Sequence, residues 1–255
     1  MRSGVIAALL CIGCGVQVSN DESGVTDDPD DQADSDFPDD DDGASPDAGQ
    51  PESPACFNGR VVYLNFEGQT LTDATTSDAT LNQASWMTIA AGTAPKYRAN
   101  SPSRDADIAA IVDGVRTQLA TFPVTVVTTR PASGPYVMIV FGGHATDVGS
   151  RFNGAVNELD CGDVQNSDVA WISDTVNPTQ RVVNYAIGAI GFGLGLTATT
   201  NPSDCMCSWD NSCVQPANAA CTLSAMIDRD PNADQLCAGA TTQDEVAAFR
   251  QAFCQ

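Results

Sequence analysis

Positive charge is scarce in this 255-residue chain, which has 11 lysine and arginine residues against 33 aspartate and glutamate residues. Only one of the basic residues is a lysine, Lys96, and the formal net charge is -22. A surface of this sign repels the phosphates of nucleic acids. The sequence therefore predicts no nucleic-acid partner.

Long apolar runs are also lacking. The N-terminal run GVIAALLCIG is too short to span a membrane and is typical of the core of a signal peptide. Together with Cys14 it resembles a bacterial lipoprotein signal, although Cys11 stands where that family usually has leucine. The resemblance implies a lipid on Cys14, a bilayer as partner, and an exported protein of the cell envelope, either an outer-membrane lipoprotein or secreted. Cleavage of an ordinary secretory signal is the alternative.

The segment after the signal has almost no apolar content. Residues 21–52 hold 14 of the acidic residues, so this part cannot bury enough surface to offset the entropy of ordering. We expect three regions: a lipoprotein signal segment (1–14), an acidic disordered tether (15–55) and a folded domain (56–255). Asp39–Asp42 would hold calcium only loosely, because tight sites need fixed oxygen geometry.

Cysteine is plentiful, with ten residues. Eight of them follow the signal segment, and an even number in an exported chain predicts disulfide bonds whose pairing the spacing leaves open. These candidates are Cys56, Cys161, Cys205, Cys207, Cys213, Cys221, Cys237 and Cys254.

Hydrophobic patterning predicts an α/β or α+β domain in which helices cover a sheet. Strands are expected at 60–66, 124–129, 136–141 and 169–173, with an amphipathic helix at 105–122 capped by Ser103 or Asp105. The segments 73–99 and 150–167 are expected to be an irregular excursion and a loop. A last helix at 241–253 is expected to start with a capping box formed by Thr242 and Glu245.

A glycine-rich apolar stretch, Val182–Met206, dominates the second half of the chain. The register Gly188 to Ala198 reads GAIGFGLGLTA. It resembles the active-site motif HExxHxxGxxH of metzincin zinc metallopeptidases, followed by their methionine turn. The motif glycine is kept as Gly195, and the positions of Pro202 and Met206 resemble the matrixin branch.

The resemblance implies a metzincin-like twisted mixed sheet, an active-site-type helix and a cysteine-rich C-terminal part. It also implies that the chemistry is lost, because the four positions that bind zinc or move protons hold Gly188, Ala189, Phe192 and Ala198. None of these side chains can ligate zinc or act as a base. We therefore expect no catalytic residue, no metal and no zinc cofactor, and we expect Phe192 to fill the space of the metal.

Two other interpretations of the stretch Val182–Met206 have less support. GFGLG lacks the spacing of a dinucleotide-binding loop. The uncharged run 182–200 approaches membrane-span length, but four glycines, Asn184 and Tyr185 argue against insertion.

Two further groups of polar residues could bind cations. The single histidine, His144, precedes four acids, Asp147, Glu158, Asp160 and Asp163, but a lone loop histidine is more often a surface residue. The run Asp228–Asp234 matches the first half of a calcium loop yet has Ala233 where the loop needs glycine. A solvated turn is the better interpretation, and weak calcium binding remains compatible with it.

Three functions follow from these features. The first is a catalytically inactive metallopeptidase-like module at the bacterial envelope, whose cleft holds a peptide or protein ligand through backbone hydrogen bonds. The second is a zinc endopeptidase whose ligands come from elsewhere in the chain. The third is a structural, disulfide-rich envelope domain without a ligand.

Overall fold

The computed structural model describes residues 59–207, 209–210 and 212–254. These residues belong to one unit, Glu52–Gln255. The expected lipidation of Cys14, the acidic tether and Cys56 lie outside the described residues. None of the described helices is long and apolar enough to cross a membrane.

In the described part of the chain, groups of two to four strands are separated by single helices. In chain order they are β1 (Val61–Asn65), β2 (Gln69–Asp73), β3 (Gln83–Ala84), β4 (Ala91–Ala94), α1 (Arg104–Leu119), β5 (Thr125–Val127), β6 (Tyr136–Phe141), α2 (Ala145–Val148), β7 (Ala155–Val156), β8 (Val169–Ile172), α3 (Thr179–Gly193), β9 (Ile227–Asp228), β10 (Thr242–Gln243) and α4 (Glu245–Phe253). The fold is therefore a mixed α+β domain, as the pattern predicted.

The main sheet has five strands in the order β5-β1-β6-β8-β7. The first four are parallel, and β7 pairs antiparallel with β8 at one edge. The central strand β6 is buried at every position, which is why its sequence YVMIVF is apolar throughout. Side chains of one face of β6 pack under α1 and α3, and those of the other face pack against residues of β2, β3 and β4.

The expectation of an irregular excursion at 73–99 is wrong in part. Strands β2, β3 and β4 form a second sheet in the order β3-β2-β4, anchored by the buried Leu71 and Ala84. Its strands are short and rich in small polar residues, so the sequence has no apolar alternation to reveal them.

The expected helix caps are correct only in part. Ser103 is the N-cap residue of α1, as one of the two expectations had it, but its hydroxyl donates to the Asp107 carboxylate and makes no hydrogen bond to the helix backbone. In α4 the N-cap is Asp244, whose carboxylate accepts from the backbone N–H of Ala247 at 2.8 Å. Thr242 lies in β10 because it pairs there with Asp228, and this pairing leaves no capping box with Glu245.

Three disulfides pair six of the predicted cysteines: Cys161–Cys237, Cys205–Cys221 and Cys207–Cys213. Cys254 is also disulfide-bonded. Disulfides persist in oxidising compartments, so these bonds indicate an extracytoplasmic location. The predicted disulfide-bonded character of the domain is confirmed.

Candidate functional site

Helix α3 tolerates its glycines because other elements approach its backbone there. A Cβ at Gly191 would lie 2.7 Å from the sulfur of Met206, and a Cβ at Gly188 would lie 1.9 Å from Nε1 of Trp209. Side chains therefore occupy the space that Cβ atoms would need. The motif resemblance accounted for Gly195 alone, and close packing accounts for these two glycines.

Helix α3 ends at Gly193, and Gly195 makes the turn that follows it, at the position where the motif predicts a break. This residue has φ of 82°, a left-handed conformation that favours glycine. Its N–H donates to the carbonyl of Phe192, and the next N–H, that of Leu196, donates to the carbonyl of Gly191. The chain thereby leaves the helix axis and turns toward Ala198.

Three of the four substituted motif positions, Gly188, Phe192 and Ala198, lie near Trp209 or Met206. Gly188 and Phe192 both face the indole of Trp209, whose ring centroid is 5.5 Å from that of Phe192. Ala198 is fully buried, and the residue after it donates its N–H toward the carbonyl of Met206 at 3.5 Å. Phe192 is 2% exposed, so its ring points inward as expected.

These residues do not fit a zinc ion. Gly188, Ala189, Phe192 and Ala198 carry no ligand atom, and the indole of Trp209 fills the notch beside Gly188. No local pattern predicts this role of Trp209, because the residue stands 21 positions after Gly188 in the cysteine-rich part.

We predict that Gly188→Ala lowers the free energy of unfolding by about 1–3 kcal/mol, because the new methyl group overlaps the indole. In a Trp209→Ala background the cost of the same change is expected to be smaller, and part of it should remain because the new methyl group would lie 2.8 Å from the backbone carbonyl oxygen of Cys205. Urea unfolding of the four proteins of this double-mutant cycle measures both effects. An equal cost of Gly188→Ala in the two backgrounds would contradict the contact.

A cleft lies between β7 and α3. It has a volume of about 220 Å³ and is lined by Phe152, Asn153, Gly154, Ala155, Val156, Asn157, Tyr185, Phe192, Trp209, Asp210 and Gln235. The strand β7 forms one wall, with one side paired to β8 as the edge of the sheet. The sequence prediction of a plain loop at 150–167 missed this strand, because its two residues are defined only by pairing with β8.

Acidic side chains surround the mouth of the cleft. Two neighbouring hollows share Phe152 and Asp210 with it, and they add Glu158, Asp230 and Asp234. Burial, reinforced by the negative charge of Asp234, raises the pKa of Asp210 despite its hydrogen bonds from Gln235. The mouth is therefore a region of negative potential.

Two carboxyl groups are deeply buried near α3. Asp168 is 1% exposed, and neither of its oxygens has a hydrogen-bond partner within the described part of the chain. Burial, with a contribution from the charge of Asp160, raises the pKa of Asp168 to about 8. Burial and the neighbouring Asp204 raise the pKa of Glu245 to about 8 as well. Neither residue was predicted to be a buried acid, because no local pattern marks their burial.

The polar groups suggested by the sequence do not assemble into a metal site. No cluster of three or more histidine, cysteine or acidic residues suited to a metal occurs in 59–254, positions 208 and 211 aside. His144 is exposed and begins α2, where its backbone N–H donates to Asp147 at 2.8 Å. The expected turn at 228–234 is present, with Asp230 accepting from the N–H of Asn232, but Asp230 is buried and not solvated as expected.

The site is thus a cleft with aromatic walls and an acidic rim, at the edge of the mixed sheet of this α+β domain. Comparison of the chain with protein-family models, curated proteins and solved structures finds no match in any of the three.

Proposed function

We propose that this domain is a catalytically inactive metallopeptidase-like module that binds an extended peptide or protein segment in its cleft. An N-terminal lipid on Cys14 would hold it at the bacterial envelope. The observation that carries the proposal is the arrangement around α3: a helix break at Gly195, Met206 beneath the helix, and an edge strand beside it. This arrangement resembles the scaffold of a metzincin.

The loss of hydrolysis is part of the proposal. A metallopeptidase needs ligands for the metal and a general base beside it. The positions that would supply them hold Gly188, Ala189, Phe192 and Ala198, and Trp209 packs where the first ligand would project. Binding does not need these groups, because an added strand is held by backbone hydrogen bonds.

The edge strand β7 supplies the geometry for such binding. Its residues Ala155 and Val156 pair with β8 on one side, while the cleft runs along the strand. The side chains of Tyr185, Phe192 and Trp209 line the opposite wall, so a bound segment would lie between this wall and β7.

A library of unstructured heptapeptides tests the proposal. We expect micromolar to millimolar binding that protects the backbone amides of 154–157 from hydrogen exchange, and no cleavage by mass spectrometry. The matched control is a binding peptide with N-methylated alternate residues, which removes the backbone donors and should abolish binding. The register with β8 directs the N–H of Ala155 away from that strand, so Ala155 amide protection that is unchanged by a bound peptide would contradict the β7 site.

Two results would instead favour the other functions. Stoichiometric zinc retained after dialysis, together with chelator-sensitive cleavage, would favour a peptidase with ligands from elsewhere. A library without any binder would favour a purely structural domain.

A further inference from the structure

The cleft has a surface suited to a cationic side chain. The indole of Trp209 contacts Phe192 at 5.5 Å and Tyr185 at 6.5 Å between ring centroids, so three aromatic rings meet at one wall. Trp209 and Phe192 are buried and support the half-buried ring of Tyr185. Phe152 stands at the mouth and is 46% exposed. Aromatic faces attract lysine and arginine side chains as well as their apolar stems.

The charge around this surface has one dominant sign. The hollows that meet at Phe152 and Asp210 are lined by four carboxylates, and the only cationic group among their described lining residues is Arg151. The four carboxylates belong to Glu158, Asp210, Asp230 and Asp234. Asp210 lies in all three hollows, so a cation seated on the aromatic wall would lie near it.

We propose that the cleft selects peptides carrying an arginine or lysine side chain, which packs on the accessible rings of Tyr185 and Phe152 and pairs with Asp210. This inference rests on the proposed peptide binding and adds its specificity. The backbone of the ligand would lie along β7, and its basic side chain would provide the discrimination, because electrostatic complementarity contributes specificity and association rate.

The acidic N-terminal segment of the same chain does not suit this cleft. Residues 15–55 contain 14 acidic and no basic residues, so they carry the same sign as the rim. The surface of a second copy would also be acidic, given the net charge of -22. The charge therefore favours a separate, basic protein segment as the ligand.

The test compares four heptapeptides that differ only at the central residue: arginine, lysine, norleucine or glutamate. With the full-length disulfide-bonded protein at low salt, we expect the arginine peptide to bind about tenfold more tightly than the norleucine peptide, and the glutamate peptide most weakly. The preference should shrink in 0.5 M salt, because partly exposed charges are screened.

Two variants locate the effect. Asp210→Asn keeps an acceptor for the N–H of Gln235 and should bring the affinity for arginine to within about threefold of that for norleucine. Asp73→Asn, an exposed change on β2, should leave the preference intact. Arginine selectivity that survives Asp210→Asn would overturn the assignment.

The outcomes separate this inference from the proposed function. Equal binding of the arginine and norleucine peptides would refute the basic specificity and leave peptide binding standing. No binding of any of the four peptides would refute both.

Discussion

Removal of the Cys161–Cys237 disulfide is expected to lower the free energy of unfolding by about 4–5 kcal/mol. The bond joins residues 76 positions apart, and closing a loop of this length removes much of the entropy of the unfolded chain. Cys161 is exposed and Cys237 is half-buried, so changing both to alanine removes little packing. Urea unfolding of Cys161→Ala/Cys237→Ala measures the loss.

The matched control is Cys207→Ala/Cys213→Ala. This bond spans only 6 positions, for which the same relation gives about 2 kcal/mol. Cys207 is fully buried, so its truncation adds about 1 kcal/mol of lost packing. A cost of the long-range pair no greater than that of this short-range pair would contradict the expectation.

The long-range bond also affects the site. Cys161 lies in the segment that packs on the helix break, where a Cβ at Gly195 would lie 2.8 Å from the carbonyl of Asp160. The disulfide ties this segment to the C-terminal part, close to Gln235 in the cleft wall. We therefore expect peptide affinity to fall together with stability in the Cys161→Ala/Cys237→Ala variant.

The stability of the domain is expected to fall as the pH rises from about 4.5 to about 8. The pKa values of Asp168 and Glu245 are raised to about 8 in the folded protein by burial, whereas the unfolded chain titrates near the ordinary values of about 4. Between these limits the folded state binds more protons than the unfolded state. Each group then lowers the free energy of unfolding by at most about 1.4 kcal/mol per pH unit.

Among the described residues with a raised or lowered carboxyl pKa, none reverses the sign within this window. Burial also raises the pKa values of Glu158 and Asp210, which act in the same direction. Hydrogen bonds from Lys96 and Arg104 lower the pKa of Glu67. Its ionisation therefore changes the free energy of unfolding only at pH values below the ordinary glutamate pKa, which is outside this window. Most proteins lose stability toward acid through paired carboxylates, and this domain should instead keep much of its stability there.

Asp168→Asn tests this prediction at one residue. The amide cannot ionise, so the variant should gain stability over the parent protein as the pH rises from 5 to 8.5, and its pH dependence should be flatter. Asp73→Asn, at an exposed position, should follow the parent curve. Parallel curves for the Asp168→Asn variant and the parent would show that Asp168 does not carry the effect.

Several parts of the fold were predictable because their signals are local. The buried strand β6 follows from six consecutive apolar residues, and the buried face of α1 follows from the recurrence of Ile111, Val115 and Leu119. The helix break at Gly195 followed from the motif register, since glycine adopts the left-handed conformation that the turn requires.

The remainder depends on contacts between distant segments. Strand β7 has two residues and exists by pairing with β8, and Asp244 caps α4 because β10 takes Thr242 into its own pairing. No periodicity in the sequence marks such elements. Burial of Asp168 and Glu245 likewise depends on which segments cover them.

The amino-acid sequence by itself determined the excess of negative charge, the order of the main elements, and the absence of ligand side chains at the four motif positions. The tertiary structure decided the pairing of the cysteines, the edge strand beside α3 and the place of Trp209 over Gly188. The physical reason is the separation along the chain of the residues that determine each feature. Side-chain chemistry and periodicity are properties of neighbouring residues, whereas close packing at Gly188 exists only after a segment 21 positions away has docked.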